Sequence, residues 1–143
     1  MGTPNPFDFD ATQLPLAMGG RRFTQSTMSY VSMAGLTAAL DQLLSLGESQ
    51  LERHAYSLAY NLIEGSRTYG WRPFRAVEDP SASPHIITLA HSELDVNKTV
   101  SSLRENRIVC GARNGRLRIS LAPYNNSDDV DALIKALANL VCC

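Results

Sequence analysis

The chain's three histidines are scattered. His54 sits beside the apolar stripe of a helical stretch, His85 follows Pro84 in a loop, and His91 ends a short apolar run. None has a second His or a Cys at metal-ligand spacing, so each reads as a surface or partly packed histidine. Cys142 and Cys143 are adjacent at the C-terminus, and Cys110 lies between Val109 and Gly111, where a cysteine is most often a small buried hydrophobe. Three cysteines without C-x-x-C spacing form no closed disulfide framework. G-x-S-x-G, P-loop and G-x-G-x-x-G patterns are absent. Arg118 stands out. With Ser120 beside it and Tyr124-Asn125 just beyond, its guanidinium fork suits the two oxygens of a carboxylate. The same pattern equally describes an ordinary solvated strand face.

The element that positions Arg118 is the clearest local signal in the chain. Residues 107–112 run into Arg113-Asn114-Gly115-Arg116 and then into Leu117–Leu121. Asn-Gly supplies the two positive φ angles of a type I′ turn, which predicts a β-hairpin. In its second strand Leu117, Ile119 and Leu121 point one way and Arg116, Arg118 and Ser120 the other. A final helix begins at Ser127-Asp128-Asp129, with acidic charge at its positive end, and carries the stripe Val130, Leu133, Ile134, Leu137 and Val141.

The other elements follow from period and punctuation. Ser32 is placed to cap a helix whose stripe is Leu36, Ala39, Leu40, Leu43 and Leu44, and Gly47 stops it. A second helix runs from about Glu48 to Glu64 on Leu51, Ala55, Leu58, Ala59 and Leu62, and Gly65 closes it. Trp71–Val77 is a short strand that Pro73 confines to an edge, and Ile86–Ala90 is another. Asp95 caps a helix on Val96, Val100 and Leu103. Residues 1–31 carry Pro4, Pro6 and Pro15 with no regular period and read as an extended arm. Its Phe7, Phe9, Leu14 and Leu16 need a surface, and it ends in the hinge-like Gly19–Phe23. The order helix, helix, strand, strand, helix, strand, strand, helix predicts an α+β fold. A small antiparallel or mixed sheet is covered by helices on one face, with 1–31 as arm and 32–143 as one domain.

Composition bounds the function classes. Thirteen Lys+Arg against fourteen Asp+Glu give a net charge of −1, with 44% hydrophobic and 19% charged residues. That fits one globular domain and gives no reason to expect a nucleic-acid partner. No apolar run reaches the ~18 residues of a membrane span, and the first ten residues lack a secretory signal. Pro6 stands where a myristoylation motif wants Ser or Thr. A reducing, cytoplasmic setting is expected, so the sequons at Asn97 and Asn125 carry no weight.

The stretch Arg118 to Asp131, RISLAPYNNSDDVD, closely resembles the pattern R-x-S-x-x-x-Y-N-T-x-x-[ED]-[IV]-D near the C-terminus of the class V aminotransferase and cysteine desulfurase family. Gly111 to Leu117, GARNGRL, looks like the R-x-G-R-L run of its aminotransferase-like and epimerase-like branches. Upstream, Arg22 to Thr27, RFTQST, looks like the family's R-F-E-x-G-T and is followed, as there, by Ala34-Gly35-Leu36. The resemblance spans roughly Arg21 to Leu140.

The resemblance implies pyridoxal phosphate, held as a Schiff base by a lysine of a large domain that precedes the part seen here. Neither Lys98 nor Lys135 falls in the cofactor-lysine motif, so no cofactor is expected to bind covalently to this chain. By position, Arg118 matches the arginine that grips the substrate α-carboxylate, and Asn125, matching the Asn of Y-N-T, is expected at the same carboxylate. Thr27 matches the threonine that contacts the cofactor phosphate of the neighbouring subunit in a homodimer. Thr24, Ser26 and Asn126 depart from the usual Glu, Gly and Thr. The Asn114-Gly115 turn leaves no room for the desulfurase loop that bears a catalytic cysteine, and Cys110 precedes the turn. An aminotransferase, lyase or epimerase relative acting on an amino acid is therefore expected, inactive without its cofactor domain. The alternative is a non-catalytic α+β binding module that has kept the fold.

Overall fold

A computed structural model describes Pro4, residues 15–23 and residues 29–141. Contacts group the chain into two units, Met1–Ser45 and Leu46–Cys143. In the first, the hinge-like stretch is a 3₁₀ turn, Gly19–Phe23, with Arg22 Nε donating to the Gly19 carbonyl at 3.2 Å. Helix α1, Tyr30–Leu46, begins earlier than expected. Ser29, not Ser32, is the cap: its Oγ accepts from Ser32 N at 3.3 Å, while Ser32 Oγ donates back to it at 3.0 Å. Within its own unit the stripe Leu36, Leu40, Leu43 and Leu44 is uncovered.

The second unit holds α2 (Glu48–Arg67), β1 (Arg72–Pro73), β2 (Ile86–Ala90), α3 (Val96–Glu105), β3 (Gly111–Arg113), β4 (Arg116–Ser120) and α4 (Ser127–Val141). All strand pairs are antiparallel, in the order β1-β2-β4-β3. Pro73 lies on an edge strand, where its missing N–H costs no ladder bond. Leu58 and Leu62 of α2, Leu103 of α3 and Leu133 and Leu137 of α4 pack with Ile87, Leu89, Leu117 and Ile119. The helices therefore cover one face of the sheet. Each fully buried leucine contributes roughly 1.5–3 kcal/mol.

In this unit three further boundaries differ from the sequence reading. Helix α2 does not close at Gly65 but runs on to Arg67. Gly65 marks a close approach: a Cβ there would lie 2.5 Å from Ile134 Cδ1 of α4. Strand β3 starts at Gly111 rather than Arg107, because the end of α3 takes up the intervening residues. Ile108 N donates to Leu103 O at 2.9 Å and Arg107 adopts φ +62°, a Schellman closure. The first strand shrinks to two residues, since the chain beyond Phe74 turns around Asp79. There the carboxylate accepts from Ser81 N at 2.8 Å and pairs with Arg75 at 3.3 Å.

Candidate functional site

The Asn114-Gly115 turn forms as expected, with φ +51° and +70°, and it sets which way β4 faces. Leu117 and Ile119 are buried, which leaves Arg118 on the open side of the sheet, half-buried. The register places Thr88 of β2 opposite Arg118 on one side and Gly111 of β3 on the other. Arg118 makes no hydrogen bond or ion pair with any described residue. Arg72, Arg113 and Arg116 share its face through the same register. No strand position on that face is acidic.

Asn125 is built into the link between β4 and α4. Its Oδ1 accepts from Ala122 N at 2.9 Å and its Nδ2 donates to Asp129 Oδ2 at 3.1 Å. Its carbonyl oxygen accepts from His54 Nε2 of α2 at 2.8 Å, which gives that ring nitrogen its proton. Both ends of the Asn125 amide are thus occupied within the protein. The next residue caps α4: Asn126 Oδ1 accepts from Asp128 N at 2.8 Å and Asp129 N at 3.2 Å. Asp129 closes the box by accepting from Asn126 N at 3.1 Å. Hydrogen bonds from the Asn125 side chain and the Asn126 backbone hold the Asp129 carboxyl below the usual carboxylate range. Thr27 lies outside the described residues, as do Phe7, Phe9, Leu14, Cys142 and Cys143.

The remaining reactive side chains are dispersed. Burial pushes the Cys110 thiol up to about 11, so it is protonated at neutral pH. His85 faces Glu52 at 3.8 Å, and His91 packs against Trp71 with ring centroids 5.3 Å apart. Among the described residues no cluster of His, Cys, Asp and Glu would hold a metal ion. No described helix is long and apolar enough to cross a membrane. Lys98 and Lys135 are exposed on α3 and α4, on the helical side of the sheet, away from Arg118. The lysines of this chain therefore do not fit as the amine of a cofactor Schiff base beside that arginine. Arg118 stands out in the sequence, whereas its neighbours Arg72 and Phe74 do not, because their place depends on the pairing of β1 with β2.

An antiparallel α+β layer with helices on one face matches the C-terminal domain of class V pyridoxal-phosphate enzymes. Within that class, the fold is that of the NifS-like cysteine desulfurases. A cysteine desulfurase from Thermococcus onnurineus NA1 superposes with a TM-score of 0.80 at 18% identity, covering 99% of this chain. One from Escherichia coli gives 0.73 at 25% identity and 99% coverage. A cystine C-S lyase, solved with its reaction product cysteine persulfide, gives 0.72 at 22% identity and 86% coverage. The chain spans 38% of the length of each of the two desulfurases and 33% of the lyase. No protein-family model and no curated protein matches the sequence.

Proposed function

We propose that this chain is the substrate-binding small domain of a pyridoxal-phosphate enzyme acting on an amino acid, with Arg118 gripping the substrate α-carboxylate. One observation carries the reading: a half-buried guanidinium, unpaired among the described residues, on a sheet face without acids. A partly desolvated charge is unfavourable until it meets an opposite one, and the planar fork matches a carboxylate bidentately. In this reading Asn125 acts by fixing the link that follows β4, and so the end of the strand that carries Arg118. Thr27 reaches the cofactor phosphate of a neighbouring subunit in a homodimer. Pyridoxal phosphate supplies the electron sink when bound, and its lysine comes from a domain outside this chain.

Two local features support a reading of the reaction branch. The two-residue turn between β3 and β4 leaves no loop for a reactive cysteine, and the Cys110 thiol stays protonated. Both favour a lyase, aminotransferase or epimerase over thiol-dependent desulfuration. The neighbouring C-S lyase shares the fold with the desulfurases.

The test is Arg118→Ala in the intact pyridoxal enzyme that contains this chain, beside Arg113→Ala on the edge strand. Truncating one partner of a desolvated charge pair costs about 2–5 kcal/mol. That corresponds to a roughly 30- to 4,000-fold fall in kcat/KM, against little change for Arg113→Ala. Near-normal kcat/KM in correctly folded Arg118→Ala enzyme refutes the assignment and returns Arg118 to a solvated face.

A further inference from the structure

Arg118 has a counterpart on the open face. Arg75 and Arg116 both lie over the Phe74 ring, their guanidinium carbons 5.5 and 5.1 Å from its centroid. Arg75 is neutralised, since its Nη1 pairs with Asp79 Oδ2 at 3.3 Å and donates to Ser81 Oγ. Arg116 is half-buried and has no hydrogen bond or ion pair among the described residues. The ring contact holds it while leaving its N–H donors unused. Phe74 N donates to Thr88 O at 3.0 Å, so Phe74 continues β1 in the same row as Thr88 and Arg118. Two strand spacings of about 4.8 Å each then separate the backbones of Phe74 and Arg118. The Arg116 guanidinium sits over the ring on one side of Thr88, and Arg118 rises from the strand on the other. The half-buried Thr88 hydroxyl between them makes no hydrogen bond among the described residues. Arg116 and Arg118, each without a polar partner among the described residues, stand about a hydroxyl that is likewise unused among them, and an anion with two charged groups would meet both at once.

We propose that the site selects a substrate with a second acidic group. Arg118 takes the α-carboxylate of an acidic amino acid and Arg116, braced on Phe74, takes its side-chain acid, with Thr88 hydrogen-bonding between them. This rests on the carboxylate reading of Arg118 and adds a subsite to it.

The test uses the 143-residue chain with 15N-labelled arginine, following the Nε–Hε resonances at low ionic strength. The probes are glutarate, a dicarboxylate, and butyrate, a monocarboxylate of similar length. Glutarate is expected to shift both Arg116 and Arg118 and to half-saturate at about tenfold lower concentration than butyrate, which shifts Arg118 alone. Arg116→Gln is expected to abolish the difference while butyrate still shifts Arg118. Phe74→Leu, which keeps the charge but removes the ring, is expected to reduce the difference, and it serves alone if Arg116→Gln does not fold. Equal half-saturation by the two acids, or a difference that survives these substitutions, overturns the second subsite and leaves Arg118 as a carboxylate site. Failure of either acid to move Arg118 overturns both readings.

Discussion

Gly70 offers a direct measure of how tightly the turn after α2 is packed. Its φ is +82°, and a Cβ there would lie 2.7 Å from His91 Nε2. Gly70→Ala therefore adds two costs. The left-handed backbone is unfavourable for alanine by about 1–2 kcal/mol. His91 must also move, which disturbs its packing on Trp71 and the hydrogen bond that Glu93 N donates to its Nδ1 at 3.2 Å. Losing that bond costs about 0.5–1.5 kcal/mol. The sum, roughly 1.5–3.5 kcal/mol, corresponds to a Tm lower by about 5–12 °C for a chain of this size. Gly115→Ala is the control: φ is +70° but nothing lies within 4 Å of its new Cβ, so only the backbone cost, about 1–2 kcal/mol, applies. Urea unfolding of both variants, with His91→Ala alone and combined with Gly70→Ala, separates the two contributions. A coupling of about 1 kcal/mol between positions 70 and 91 is expected. If Gly70→Ala costs no more than Gly115→Ala, and the double variant is additive, the contact with His91 carries no energy and the reasoning fails.

Arg107→Gly is expected to stabilise the chain by about 0.5–1 kcal/mol, because φ +62° strains arginine but not glycine; an unchanged or lower urea midpoint would contradict this. In a Cys142→Ser, Cys143→Ser background, Cys110 is expected to react with iodoacetamide at pH 8 at least about 100-fold more slowly than a free thiol, whose pKa is near 8.5. Labelling within tenfold of the free-thiol rate would show that burial does not protect it. The lowered Asp129 carboxyl contributes stability that is complete above its unfolded value of about 3.9 and is lost as pH falls through its lower folded value. Asp129→Asn should flatten the decline of the urea midpoint between pH 5 and pH 2, and an identical decline in both proteins would remove the capping carboxylate from the account.

The features legible without tertiary contacts are local. The Asn114-Gly115 turn, the alternation of Leu117, Arg118 and Ile119, the Asp95 cap and the start of α4 depend on residues within a few positions of one another. They were legible because turn and cap chemistry is short-ranged. The order of all eight helices and strands was legible for the same reason, as was the motif around Arg118. Tertiary structure decided the rest. Gly65 reads as a helix stop until Ile134, 69 positions later, is seen against it. Phe74, Thr88, Arg116 and Arg118 meet because β1 pairs with β2 and β2 with β4, across chain separations that carry no periodic signal. Strand register is set by which faces bury together, and one residue of slip would have turned Arg118 into the core.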